Sequence, residues 1–183
     1  MIEDKHRWNE RYKTLPPPQK PSNLLLRYID CIKGKDVLDI AAGLGRHSRI
    51  LAERGYSVDA IEYSDVTLES LREISGVNAI EMDLENGCNL EKSYDAILCF
   101  NYLNRDLYNF MINNLNKDGI ILFETFVFDE ENECAPKNPE FLLKKNELLK
   151  VFISLNIIEY KESYVVKQNG QKALMASMAA IKK

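Results

Sequence analysis

The 183-residue sequence predicts an α/β fold: a doubly wound, mostly parallel seven-stranded sheet finished by a C-terminal antiparallel hairpin. Three observations carry this. Short apolar runs of strand type alternate with stretches of helical periodicity from Val37 to Phe126. Two of these runs, Ala96–Phe100 and Ile120–Phe123, are almost continuously apolar, as strands covered on both faces are. Near the end, Gln168-Asn169-Gly170 separates two further strand-like segments, and Asn-Gly in that position signals a hairpin.

Taken in order, a helix is expected from about Glu3 to Tyr12, closed off by the proline-rich stretch Leu15–Pro21, which cannot continue it. Ser22 is placed to cap a second helix running to Ile32, with Gly34 as its stop. Val37–Ile40 reads as the first strand. A small-residue loop leads from it into a helix from Arg46 to Arg54, ended by Gly55. Val58–Tyr63 is the second strand. Ser64 or Asp65 caps a helix carrying Leu68, Leu71 and Ile74 at helical spacing, stopped by Gly76. Asn78–Met82 and Tyr94–Phe100 are the next strands, Arg105–Leu115 a helix stopped at Asp118-Gly119, and Ile120–Phe126 the fifth strand. Right-handed βαβ units follow from this alternation. A helix capped by Asn146 then precedes the hairpin, Ile157–Lys167 and Ala173–Ile181. The length suits one domain spanning residues 1–183, with residues 1–33 as a helical cover and residues 34–183 as the core.

Composition narrows the function classes. The net charge of −4 argues against a duplex-binding protein, which carries a basic face. No apolar run is long enough to span a bilayer, and the opening MIEDKHRWNE has no apolar leader core, so the expectation is a cytoplasmic protein without membrane partners. Cys31, Cys88, Cys99 and Cys134 are scattered, with no Cys-x-x-Cys and no neighbouring His, so they read as reduced thiols and no metal site is expected.

In an open α/β sheet, ligands bind beyond the carboxyl ends of the strands, above all at the first strand-to-helix loop. Here that loop reads Asp39-Ile40-Ala41-Ala42-Gly43-Leu44-Gly45-Arg46. Ala41, Ala42, Gly43 and Gly45 let a ligand approach the backbone, and the following helix offers free N–H groups. A dinucleotide would require Gly-x-Gly-x-x-Gly; Gly43-Leu44-Gly45-Arg46-His47-Ser48 lacks the third glycine. Asp39 would repel pyrophosphate but suits a cationic ligand. S-adenosylmethionine carries an ammonium and a sulfonium and no phosphate. Glu62 ends the second strand 23 residues after Asp39, where an acid accepts hydrogen bonds from ribose hydroxyls. Tyr63 then borders the adenine pocket. Asp83 is placed to accept from the adenine amine, or to cap a turn, with Met82 and Leu84 covering the ring.

Together these segments resemble class I S-adenosylmethionine-dependent methyltransferases over nearly the whole chain. Val37–Ser48 is similar to the first motif of that family and Ser57–Ser64 to its second, and the terminal hairpin matches its antiparallel last strand. Within the family the similarity is to the tellurite-resistance or thiol methyltransferase-like branch, carried by Trp8-Asn9-Glu10-Arg11-Tyr12, Asn101-Tyr102-Leu103-Asn104-Arg105 and Phe123-Glu124-Thr125-Phe126. The resemblance implies a Rossmann-like fold and S-adenosylmethionine as methyl donor, with S-adenosylhomocysteine as product. It also implies a donor site at Trp8, Arg11, Tyr12, Asp39, Ala41, Ala42, Gly43, Gly45, Arg46, Glu62, Tyr63, Met82, Asp83, Leu84 and Phe100. The family often has Gly where Ala41 stands, and the branch often has His where Asn104 stands.

Methyl transfer from a sulfonium is an in-line displacement from an already activated donor, so positioning supplies much of the catalysis. The acceptor-side expectations are Asn101 facing the methyl, Tyr102 walling the pocket, and Arg105 holding an anionic acceptor or pairing on the surface. Asn101-Tyr102-Leu103 lacks the prolines of the enzymes that methylate nucleic-acid amines. The Trp8–Tyr12 helix is expected to close over the donor or simply to pack, and the long segment Val127–Lys144 is a candidate binding loop. A small-molecule acceptor, a thiol or a chalcogen oxyanion, is the first reading. RNA or protein methylation, and a donor-binding subunit working with a protein partner, are the alternatives.

Overall fold

The computed structural model describes residues 2–14, 20–166 and 170–183. The expected break at Leu15–Gln19 and the turn residues Gln168 and Asn169 lie outside the described residues.

Seven strands form one sheet: β1 (Asp36–Ile40), β2 (Ser57–Glu62), β3 (Val77–Glu81), β4 (Tyr94–Phe100), β5 (Leu115–Phe126), β6 (Asn156–Val166) and β7 (Lys172–Ile181). Their order is β3-β2-β1-β4-β5-β7-β6. The first five run parallel, while β7 inserts antiparallel between β5 and β6. This is the Rossmann-like arrangement, and the order reverses between β1 and β4, which opens the crevice for a ligand at their carboxyl ends.

Alternation along the strands supplies both faces. Val37, Val58, Leu98 and Leu122 pack with Leu24, Leu25 and Ile29 on one side. Those three come from α2 (Asn23–Tyr28) and the short turn after it, and α3 (Arg46–Glu53) and α4 (Asp65–Arg72) cover the same face. Leu38, Ile97, Ile121 and Phe123 pack on the other side with Met111 and Leu148. These belong to α5 (Leu107–Asn113) and α6 (Glu147–Val151). The N-terminal helix α1 (Ile2–Thr14) lies against α4 at the rim of the crevice. No helix among the described residues is long and apolar enough to cross a membrane.

Several boundaries differ from the sequence expectation. The second helix stops at Tyr28 and tightens into a 3-10 turn, Ile29–Cys31. The helix expected over Arg105–Leu115 spans only Leu107–Asn113, because the Asn104 side chain accepts from Asp106 N at 2.9 Å and holds the preceding residues in a turn. Its end is closed by Lys182, whose Nζ donates to the carbonyls of Ile112, Asn113 and Leu115. A lysine there satisfies orphan carbonyls and complements the helix dipole. Asp118-Gly119 does not stop that helix; it lies within β5, where Asp118 N and Gly119 O pair with Lys182.

Candidate active site

The loop after β1 turns back over the sheet through three left-handed residues, Ala41 (φ 52°), Gly43 (φ 59°) and Gly45 (φ 78°). Glycine adopts this region freely, whereas alanine costs about 1 kcal/mol or more there. The departure at Ala41 therefore stores strain in the loop. Strain at such a loop belongs to sites that hold a ligand in a fixed backbone geometry. Gly45 also has no room for a side chain, since a Cβ there would stand 2.8 Å from both Ile74 Cδ1 and Leu71 Cδ2.

Two buried carboxylates flank the loop. Asp39, at the end of β1, accepts from Ser48 Oγ at 2.6 Å. Burial pushes its pKa up to about 6, against the Ser48 bond and the nearby Arg46, which pull it down. Glu62, at the end of β2, accepts from Gly43 N at 2.8 Å and Tyr63 N at 2.9 Å. Burial raises its pKa too, opposed by those backbone N–H groups. Two desolvated carboxylates favour a cation between them and disfavour a phosphate.

Asp39 gives a pH-dependent expectation. Its folded pKa lies above the unfolded value near 4, so the folded state holds the proton more tightly. Stability from this group is complete below pH 4 and declines as pH rises to about 6. Asp39→Asn keeps an acceptor for Ser48 and removes the buried charge. It is expected to be about 1–2 kcal/mol more stable than wild type at pH 7.5 and no more stable at pH 4. Urea denaturation at the two pH values checks this, and equal gains at both would refute it.

Helix α1 closes the loop from above. The Tyr12 hydroxyl stands 3.4 Å from where a Gly43 Cβ would be. Burial and the Glu62 charge hold the Tyr12 phenol well above its ordinary pKa, so it is a neutral donor. Trp8 stacks on Tyr12 with centroids 5.8 Å apart, and the Arg11 guanidinium lies 5.1 Å from the Trp8 ring. Asn9 fixes the helix in place: its Oδ1 accepts from Ser64 Oγ at 2.7 Å and Asp65 N at 2.9 Å, at the start of α4. Lys5 pairs with Asp65 and Glu81 and lies 5.2 Å over the Tyr63 ring. Asn9 and Lys5 were not singled out from sequence, since their partners are far along the chain.

Beyond β3, Met82 N donates to the main-chain carbonyl of Glu62 at 2.9 Å, which holds the start of this loop against the end of β2. Asp83 accepts from Glu85 N and from Asn86 Nδ2, so it caps the 3-10 turn Leu84–Asn86. Met82 and Asp83 also line a cavity of about 370 Å³ that continues to Asn89. Leu84 is buried in the core beneath it.

On the acceptor side, Asn101 follows β4 with φ 57°, exposed at the crevice. Tyr102 donates to Glu85 Oε1 at 3.1 Å, and Asn104 Nδ2 to Leu84 O at 2.9 Å, tying this loop to the one after β3. Two expected site residues are placed differently. Phe100 is buried with its ring 4.1 Å from that of His47, so it supports the floor through packing. The guanidinium of Arg105 is committed to Glu147, both carboxylate oxygens, and to the carbonyls of Glu140 and Leu142 at 2.8–2.9 Å. It therefore clamps the segment 140–147, which with Phe128, Pro139 and Lys144 walls a cavity of about 710 Å³. Arg105→Ala is expected to speed amide exchange at Leu142–Glu147 severalfold while leaving the sheet amides unchanged, a local opening readable by hydrogen-exchange mass spectrometry. Uniform acceleration across the chain would contradict the clamp.

Residues missed by sequence reasoning complete the crevice. Glu124, one residue before Thr125 on β5, accepts from Ser22 Oγ at 2.9 Å. His47 accepts from Ser22 N at 3.2 Å; burial drops its pKa to about 3, so it is neutral. Among the described residues no cluster of His, Cys, Asp and Glu is arranged to hold a metal, and the four cysteines are free.

Comparison with known proteins identifies the family and agrees with the fold. Residues 1–173 match the family described as tellurite resistance protein TehB. The crystal structure of TehB from Haemophilus influenzae superposes with a TM-score of 0.79 at 23% identity, covering 98% of this chain and 67% of that one. A glycopeptide N-methyltransferase, MtfA, solved with S-adenosylmethionine, superposes with a TM-score of 0.64 at 15% identity, over 90% of this chain and 88% of that one. At these identities the structural likenesses establish the fold. A tRNA (uracil(54)-C(5))-methyltransferase of Pyrococcus abyssi is 24% identical over 117 residues, 58% of this chain but only 29% of that protein. The chain belongs to the family of tellurite resistance protein TehB.

Proposed function

We propose that this chain binds S-adenosylmethionine over the loop Asp39–Arg46 and transfers its methyl group to a small-molecule acceptor, a thiol or a chalcogen oxyanion. The observation that carries the reading is the pair of buried carboxylates, Asp39 and Glu62, on either side of a strained, glycine-containing loop. Asp39 suits the donor ammonium and Glu62 the ribose hydroxyls. Met82, Asp83, Leu84 and Tyr63 form the adenine side. Ala41, Ala42, Gly43 and Gly45 supply close backbone approach, while Arg46, with Trp8, Arg11 and Tyr12 of α1, closes the methionine end. Residues 1–33 then act as a cover on the core 34–183, the whole working as one domain. Four free thiols suit the reducing cytoplasm.

The sulfonium supplies an activated methyl, which leaves the protein chiefly to position and exclude water. Asn101 and Tyr102 border the crevice where the acceptor enters, and Arg105 acts by holding the loop that walls the larger cavity. The acidic net charge of −4 favours a small acceptor over RNA.

Calorimetric titration with S-adenosylmethionine, followed by a screen for S-adenosylhomocysteine release with 2-mercaptoethanol, selenite and tellurite, tests the reading. Micromolar donor binding and release with one of these acceptors are expected. Absence of donor binding, together with binding of a nicotinamide dinucleotide, would overturn it.

A further inference from the structure

Glu124 occupies a position the donor site does not use. It stands at the carboxyl end of β5, opposite Phe100 in register, and its main-chain carbonyl accepts from Asn101 N at 2.8 Å. Its side chain projects on the α2–α3 face, while its main chain is bonded to the residue that borders the acceptor entrance. One carboxylate oxygen accepts from Ser22 Oγ at 2.9 Å. Arg46 of the donor loop and Arg27 of α2 act on it through their charges without an ion pair to it, and Asp39 and Tyr12 share the field of the same Arg46. His47 faces Ser22 from α3 and is uncharged. Glu124 thus links the acceptor edge to the donor loop. Burial raises its pKa, against the Ser22 bond and the two arginines, so it is more basic than an exposed carboxylate.

We propose that Glu124 is the group that removes the proton from a thiol acceptor, an inference that rests on the methyl-transfer reading above. The acceptor S–H bond breaks and its proton passes to the Glu124 carboxylate. The electron pair left on that sulfur forms the new S–CH3 bond. The methyl–sulfonium bond breaks with its pair going to the donor sulfur, which becomes the neutral thioether of S-adenosylhomocysteine. Glu124 then returns the proton to water. A thiol with a pKa near 8.5 is only a few per cent ionised at pH 7, so a base at this position matters.

The alternative role for Glu124 is a tether for Ser22. Glu124→Gln separates the two, because the amide oxygen still accepts from Ser22 while the base is lost. With 2-mercaptoethanol as acceptor, the variant is expected to keep the wild-type melting temperature and calorimetric donor affinity. Its kcat/KM should fall about 100-fold at pH 7. That deficit should shrink roughly tenfold per pH unit up to the thiol pKa, where the acceptor ionises unaided. Glu124→Asp should recover part of the loss. An unchanged rate, or an equal deficit at every pH, would overturn the proposal. So would wild-type turnover of selenite or tellurite without turnover of 2-mercaptoethanol, or donor binding with no turnover of any of them; both leave the donor reading standing. Loss of donor binding in the wild type would instead remove the reading beneath it.

Discussion

Glu62→Ala is expected to weaken S-adenosylmethionine binding by at least about 100-fold, close to 3 kcal/mol. Two contributions add. On the proposed reading the carboxylate accepts from the ribose hydroxyls, and a hydrogen bond to a charged group contributes about 1.5–3 kcal/mol. It also accepts from Gly43 N at 2.8 Å and Tyr63 N at 2.9 Å, so it holds the donor loop against the end of β2. Deleting it leaves two backbone donors without a partner in a site that is 8% exposed at this residue. The loop is then free to relax away from the strained geometry at Ala41. Glu62→Gln is expected to fall between wild type and alanine, since its amide nitrogen would face a backbone N–H. Calorimetric titration measures the affinities, and urea denaturation shows whether the variants remain folded. Binding of the donor by Glu62→Ala within threefold of wild type would rule out the ribose role.

Glu62 and Asp39 were legible in the sequence because their positions follow from local rules. Each ends an apolar strand, and the spacing between them is that of one βαβ unit. The strands β1, β2 and β4 were legible for the same reason: their burial is written in consecutive residues. Glu124 was not. Its partner Ser22 lies 102 positions away, and nothing in either segment announces the pairing. Ser22 was read as a helix cap, and it is one, accepting from Leu24 N at 3.1 Å; the same hydroxyl donates its proton to Glu124. Arg105 illustrates the converse. Its charge and position suggested either an anion site or a surface ion pair, and it is the pair that forms, with Glu147, 42 positions on. Side-chain pairs of this kind are set by where the chain returns, which periodicity does not encode. The two carboxylates, which belong to one βαβ unit, are therefore readable from sequence, whereas side-chain pairs such as Ser22–Glu124 and Arg105–Glu147, which join distant segments, are not.

Gly34 shows how a correct residue can be read for the wrong physical reason, and it carries the second large prediction. From sequence it marks a helix stop, the usual task of a glycine in the left-handed region. The preceding helix ends at Tyr28, and Gly34 is not among the residues with positive φ. Its role is space. A Cβ at Gly34 would stand 1.9 Å from Asp95 Oδ2 and 2.1 Å from its Cγ. That carboxylate has little freedom to move, because it accepts from Lys35 N at 2.8 Å, Asp36 N at 3.0 Å and Asn116 Nδ2 at 2.9 Å. Asp95 thereby joins the start of β1 to β4 and β5, the strands on either side of the crevice. Gly34→Ala must expel the carboxylate, and is expected to cost about 2–3 kcal/mol through lost hydrogen bonds and overpacking. The cycle with Asp95→Ala separates space from backbone freedom. If the carboxylate is what excludes a side chain, Gly34→Ala should cost less than about 0.5 kcal/mol in the Asp95→Ala background. If backbone conformation were the reason for glycine, the cost would be the same in both backgrounds, and urea denaturation of the four proteins decides between them.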